Sequence, residues 1–378
     1  MKDKSKIVIT DYDVITPYGV GLDCCWNALL NGKSAIKRID RFNTEHFITS
    51  NAAVIPGLNT TLDESLVIQM LNRLFLQQKQ NIPIDAKLFL ATTAGEIDLL
   101  EKSVLSGEGD AKDSNIRNLL CKTESIVGVK QGSGILVSAA CASSTAAIAR
   151  ASMMIKTGEI DCALVVACDS VSEFVFSGFS SLMALDGNVA KPFDKNRNGL
   201  SLGEAVGYIL LMSEERAKRE QNENHGQIIG WGFSSDSYHM TGPTPDGSGL
   251  AKAIKNALKY SGLIADDIGS ISAHGTGTKY NDSMEINAFN SIFDKPTPTF
   301  SIKGGTGHTL AAAGLLETLI TLKSFKEKVV PPTLGFITPD DGCENWISPQ
   351  QQNISKNKYA LKVNSGFGGV NAALIIKS

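Results

Sequence analysis

Charge of one sign is what this sequence lacks most plainly. Its 36 basic and 39 acidic residues leave a net charge of -3, and no basic run stands out. That points away from nucleic acid and from membrane-surface binding. Long apolar runs are missing as well. None nears the roughly 20 residues needed to span a bilayer, and Ile7-Val8-Ile9, after a lysine-rich start, is too short for a signal-peptide core. Histidine is scarce, at five in 378 residues, and no His-x-x-x-His or Cys-x-x-Cys pair occurs, so no metal site is expected. Seven cysteines, odd in number and irregular in spacing, do not form a disulfide framework. A reducing cytoplasm is the expected location. Gly32-Lys33-Ser34 ends like a phosphate loop, but Asn27 stands where the leading glycine belongs.

What is present is an alternation of apolar, β-branched runs with longer amphipathic stretches, the pattern of an α/β fold. Strands are expected at 6–9, 86–91, 134–137, 162–167, 205–212, 227–232, 268–273, 299–301 and 372–376. Helices are expected at 22–30, 142–157, 250–262, 283–292 and 311–326. Residues 101–113 and 188–199 read as loose. No Pro/Gly/Ser-rich linker divides the chain. The strand–helix–strand order recurs after about residue 230, which suggests halves at 1–230 and 231–378.

The segment Val137-Ser138-Ala139-Ala140-Cys141-Ala142-Ser143-Ser144 carries the most chemistry. A strand runs into a small-residue turn, and a helix begins just beyond Cys141. Unpaired N–H groups at a helix start carry partial positive charge. They are expected to lower the thiol pKa and to receive an oxyanion. Cys162 and Cys168, within or beside an apolar run, read instead as packing residues. Two of the histidines sit in glycine- and threonine-rich turns after strands. One turn is Ser272-Ala273-His274-Gly275-Thr276-Gly277-Thr278, and the other runs from Ser301 through Lys303 and Gly307 to His308. Imidazoles in such turns can hold or move protons near neutrality. His46 and His225 read as solvated, and His239 is ambiguous.

Taken together these segments resemble the β-ketoacyl-acyl-carrier-protein synthases of the elongating, two-histidine type, nearly end to end. Further matching stretches are Ile15-Thr16-Pro17-Tyr18-Gly19, Lys191-Pro192-Phe193-Asp194 with Leu202-Gly203-Glu204-Ala205, Ser234-Ser235-Asp236, and Asn364-Ser365-Gly366-Phe367-Gly368-Gly369-Val370-Asn371. The resemblance implies a thiolase fold, two similar halves in a five-layered αβαβα arrangement with the site between them. It also implies a ping-pong condensation. Cys141 takes an acyl group from a carrier protein's phosphopantetheine, and malonyl-carrier protein then loses carbon dioxide to give an enolate held by His274 and His308. Neither a nucleotide nor a redox cofactor is implied. The N–H groups of Cys141 and Phe367 would form the oxyanion hole, and Lys303 would pair with Glu317, joined by Asp282 and Glu285. Thr276 and Thr278 would bind the pantetheine arm. Phe367, between Gly366 and Gly368, would be a gate. The implied partners are the acyl carrier protein and a second subunit, a homodimer mate or a paralogue.

The sequence departs from that family in its first turn, at Ser365 and Val370, and in being short between about 55 and 130. Three rivals fit less well. An initiating synthase would carry asparagine in place of His308. A thiolase would carry a second catalytic cysteine, where Gly366-Phe367-Gly368 offers none. A non-catalytic chain-length-factor-like subunit would lack the nucleophile, and Cys141 is present.

Overall fold

The structure, a computed structural model, describes residues 6–76, 81–107, 109–343, 345–347, 349–354 and 359–378. The lysines of residues 1–5 lie outside them. Ten strands form the path of one mixed sheet. In chain order they are β1 (Ile7–Thr16), β2 (Lys87–Ala91), β3 (Ile135–Val137), β4 (Cys162–Asp169), β5 (Ala205–Ser213), β6 (Gly226–Ser235), β7 (Ile268–Ser272), β8 (Thr299–Phe300), β9 (Tyr359–Gly366) and β10 (Val370–Lys377). Their spatial order is β8-β7-β9-β10-β6-β1-β5-β4-β2-β3.

That order is symmetric about its middle. From the centre outward, β1 and β5 pair antiparallel, β5 and β4 antiparallel, then β4, β2 and β3 parallel. In the other direction β6 and β10 pair antiparallel, β10 and β9 antiparallel, then β9, β7 and β8 parallel. The seam is a short antiparallel pairing of Val8 with Gln227 and Ile9 with Gly226.

Eleven helices follow in chain order: α1 (Leu22–Leu30), α2 (Leu66–Leu76), α3 (Ile97–Ser106), α4 (Ile116–Val127), α5 (Ser143–Thr157), α6 (Glu173–Ser181), α7 (Glu214–Arg219), α8 (Ser248–Ser261), α9 (Lys279–Asn290), α10 (Lys303–Thr306) and α11 (Ala313–Glu327). α5 and α11 pack on each other and on strands of both halves; α2 and α4 cover the outside of the first half, and α8 with α9 the second. The result is the five-layered thiolase fold. Its two central helices are small-residue-rich or apolar on nearly every side. α11 is buried over almost its whole length, as a helix hydrophobic all round must be.

The expected strands and helices all exist, with shifted ends. Several elements were not anticipated. Residues 101–106 belong to α3, and a 3₁₀ turn covers Ala111–Ser114, so the stretch expected to be loose is largely ordered. α3 carries Ile97, Leu100 and Val104 at helical spacing but has no fully buried residue. β9 was missed because polar Lys362 and Asn364 interrupt its apolar run, although both are fully buried.

Candidate active site

Cys141 sits where β3 turns into α5. The turn is tight: Ala142 N–H bonds to Ala139 O, and Ser143 N–H bonds to Ala140 O. Ala140 is held in the left-handed region at φ 47°, a strained position for a residue with a Cβ. The Ser143 hydroxyl locks it, donating to Ala140 O (2.6 Å) and accepting from Ala139 N–H (2.8 Å). No side chain caps the start of α5; its first N–H, on Ser143, is taken by the turn itself. Across the gap, the turn between β9 and β10 brings the Phe367 N–H onto the Cys141 sulfur. Gly366 eases that approach, because a Cβ there would lie 3.2 Å from both Cys141 N and Ala140 Cβ. The Phe367 ring stacks on Phe179 of α6, with centroids 5.7 Å apart. Gly368 is exposed at φ 84° and donates its N–H to Met240 O (2.7 Å).

His274 follows β7 in a loop clasped from below by α9. Glu285 accepts from the N–H groups of His274 and Gly275 (both 2.6 Å), and Asp282 from those of Thr276 (3.0 Å), Gly277 (3.1 Å) and Phe193 (2.7 Å). The two acids thus shape the loop's backbone, and Glu285 also feels the Lys303 charge. Burial, with Asp282 close by, pushes Glu285 up to about 8. His308 follows α10. Its ring lies 5.2 Å from that of His274, edge to face.

The hydrogen bonds fix both tautomers. His308 Nδ1 accepts from Leu310 N–H (3.1 Å), so its proton is on Nε2, a buried atom with no partner. His274 Nδ1 faces two donors, Lys303 Nζ (3.2 Å) and Asn364 Nδ2 (3.0 Å), so its proton is on Nε2 too. Burial, then the Lys303 charge, holds both imidazoles well below the usual histidine range. They are neutral N–H donors at physiological pH.

Lys303 donates to His274 O (2.5 Å) and is paired with Glu317 of α11. Asn364 Nδ2 donates to Glu317 Oε2 (2.8 Å), and Lys362 Nζ lies 3.2 Å from the same oxygen. Neither Lys362 nor Asn364 was singled out from the sequence. A period-two pair of polar residues inside the last apolar run was the available signal. Asp169 was missed as well. It ends β4, accepts from Thr93 and from Ala311 N–H (2.9 Å), and ties the first half to the turn beyond His308.

The Cys141 sulfur and one nitrogen of each imidazole lie within 4.8 Å of one another. They open, with Phe367, Thr276 and Thr278, into a cleft of about 590 Å³. A sulfur and two imidazoles form a set zinc can use, but the Lys303 and Lys362 ammonium groups behind them oppose a dication. His239, exposed at the cleft mouth, accepts from Thr241 N–H (3.2 Å) and caps its own loop.

One expectation is corrected. The thiol is not lowered: Cys141 is buried, and burial pushes it up to about 11, with Lys303 opposing. Desolvation of the thiolate outweighs the helix start and the ammonium. Alkylation of Cys141 by iodoacetamide is therefore expected to accelerate steadily across about pH 7 to 10 without levelling. A plateau near neutrality, read by intact mass against time, would contradict a protonated resting thiol. The seam between α5 and α11 offers a second test. A Cβ on Gly314 would lie 2.2 Å from Thr145 Oγ1. Gly314→Ala is expected to destabilise the fold by about 1–3 kcal/mol, measured by denaturant unfolding.

The comparisons with known proteins agree with this geometry. The family description "Beta-ketoacyl synthase, N-terminal domain" matches residues 103–217, and "Beta-ketoacyl synthase, C-terminal domain" matches 225–337. The chain belongs to the β-ketoacyl synthase family. This synthase is 29% identical over 410 residues to 3-oxoacyl-[acyl-carrier-protein] synthase 2 of Vibrio cholerae, covering 99% of each chain. Among solved structures it is similar to the ishigamide ketosynthase/chain length factor, with 27% identity, TM-score 0.87 and all of both chains covered. It is also similar to a type II PKS ketosynthase solved with its acyl-carrier protein, with 25% identity, TM-score 0.88 and all of both chains covered. The synthase is thus a condensing acyltransferase of thiolase fold. Among the described residues, no helix is long and apolar enough to cross a membrane.

Proposed function

We propose that this synthase performs a decarboxylative Claisen condensation between an acyl group on Cys141 and malonyl-acyl-carrier protein. The observation that carries the reading is the convergence of one sulfur and two neutral N–H imidazoles on a single cleft, with the Phe367 N–H aimed at the sulfur. In the first half-reaction the acyl thioester exchanges onto Cys141. The N–H groups of Cys141 and Phe367 receive the oxyanion, and the released thiolate takes up the cysteine proton. In the second, His274 and His308 donate to the malonyl thioester oxygen as carbon dioxide leaves, and the enolate carbon attacks the acyl-Cys141 carbonyl. The product is a 3-oxoacyl thioester two carbons longer; Cys141 leaves as a thiolate and takes one proton from solvent to restore the thiol. Lys303 and Glu317 hold the ring of His274. Thr276 and Thr278, whose hydroxyls lie 3.0 Å apart in the cleft wall, suit the amides of a pantetheine arm.

Carrier-bound substrates fit the names of the relatives, two of which include an acyl carrier protein. Pairing with a second copy or a paralogue is supported by β3. It is the last strand of the sheet, half-buried, with one edge unpaired. Exposed Met153 and Phe233 line a depression beside it. Two thiolase-like halves, 1–230 and 231–378, agree with the mirrored strand pattern, with the seam best set just before β6 at Gly226. A cytoplasmic location fits free cysteines throughout. The reading of a nucleophile-free chain-length subunit is disfavoured by a Cys141 so fully equipped.

The test is covalent. Cerulenin should add one inhibitor mass to Cys141 for good, whereas an acyl-carrier thioester should add one acyl mass there, which malonyl-carrier protein should then discharge with release of carbon dioxide. A protein that takes no adduct at Cys141 is not this enzyme.

A further inference from the structure

Lys362 is fully buried in β9, one of only two lysines among the largest fully buried side chains; the other is Lys303. Buried ammonium groups are costly and persist where partners hold them. Its partners lead to His274 by a route separate from Lys303. Lys362 Nζ donates to Thr145 Oγ1 (2.7 Å), which lies in the first turn of α5. The Thr145 hydroxyl donates to Asn364 Oδ1 (2.5 Å), and Asn364 Nδ2 donates to His274 Nδ1 (3.0 Å).

The direction of this chain is decided at its far end. An ammonium has three donors and no acceptor. Thr145 must therefore accept from Lys362 and spend its single proton on Asn364. The Asn364 amide is then oriented with oxygen towards Thr145 and nitrogen towards His274. The imidazole receives on Nδ1 and keeps its proton on Nε2, facing the cleft. Without the ammonium, the threonine hydroxyl is free to turn, and the amide is then held only at its nitrogen, by Glu317 Oε2 (2.8 Å). An amide oxygen turned to His274 would oppose the Lys303 donor at Nδ1 (3.2 Å) and favour the opposite tautomer, leaving a lone pair where a donor is needed.

We propose that Lys362 is a positioning residue, which through Thr145 and Asn364 sets the direction of the hydrogen-bond chain that keeps His274 an Nε2–H donor. The inference rests on the condensation reading above for its effect on rate, but the tautomer can be judged without it. Lys362 also answers electrostatically to groups on every element around it. Glu317 of α11 attracts it, Lys303 of α10 repels it, and Glu285 of α9 attracts it. Burial, offset in part by Glu317, brings it down to about 8. As pH rises through that value the ammonium loses its charge, and Thr145 can then donate back to the amine. The wild-type decarboxylation rate should bend downward there.

The experiment uses the full chain with ¹⁵N-labelled histidine, in wild type, Lys362→Met and Thr145→Val. Ring nitrogen shifts should report Nε2–H His274 in the wild type and a mixture of tautomers in both variants. Malonyl-thioester decarboxylation should fall about tenfold in both, as for neighbours that orient a functional histidine. The bend near pH 8 should vanish, while Cys141 alkylation stays within about twofold of wild type. Thr145→Val is nearly isosteric, so it decides the question if Lys362→Met does not fold. Wild-type ring shifts in a folded variant would overturn the proposal. An absence of decarboxylation in the wild type would instead strike the condensation reading and leave the tautomer result standing.

Discussion

Cys141→Gln is expected to release carbon dioxide from malonyl thioester while forming no condensation product. The sulfur lies under the Phe367 N–H, at the turn into α5. A glutamine amide there places a carbonyl where an acyl thioester carbonyl would sit, without a nucleophile. Condensation should drop by about 10⁶-fold, the scale on which removing a nucleophile acts. Decarboxylation needs only His274 and His308, whose proton-bearing nitrogens are set by Leu310, Lys303 and Asn364 and not by the sulfur. It should persist. Parallel assays of released carbon dioxide and of 3-oxoacyl product check this, and a variant dead in both would show that the two half-reactions are not separable.

His308→Ala is expected to do the reverse. His308 Nε2 is a buried donor with no partner among the described residues, so it is left for a substrate oxygen. Removing a donor that meets developing negative charge costs about 10²–10³-fold. Acylation of Cys141 has its own donors and should change far less, as intact mass after a single exposure to acyl thioester will read. Both imidazoles are held well below the usual histidine range by burial and Lys303. Protonation therefore overtakes them only at acidity well below neutral. The wild-type decarboxylation rate is expected to stay flat as pH falls from 8 through 6, apart from the bend attributed to Lys362. A loss centred near 6.5 would show that a histidine titrates where this environment forbids it.

Much of this site was readable before any coordinates. Cys141, His274, His308 and Phe367 each stand in a turn whose glycines and small residues mark close backbone approach, and glycine is legible in one dimension. The strand–helix alternation was legible for the same reason, since apolar periodicity is local. What stayed hidden depends on three-dimensional company. Lys362 and Asn364 look like surface residues until β9 is seen between two covered strands. The pKa of Cys141 was misjudged because a helix start is visible in sequence, whereas the burial of the thiol in the folded chain, which outweighs Lys303 and the Phe367 N–H, is not. α2 and α4 were overlooked although their apolar residues recur at helical spacing, Leu66, Met70 and Leu74 in one and Ile116, Leu119 and Leu120 in the other.

The mirrored sheet has a consequence for how the chemistry is divided. Strand β3 leads through Cys141 into α5; its counterpart β8 leads through Lys303 and His308 into α11. The same joint of an ancestral unit thus appears twice, one copy specialised to form a covalent bond and the other to stabilise a carbanion. The two joints face each other because the halves are related by a rotation, so neither had to be moved to meet its partner. Inherited symmetry of this kind lets one joint decay or be retuned while the other keeps its task.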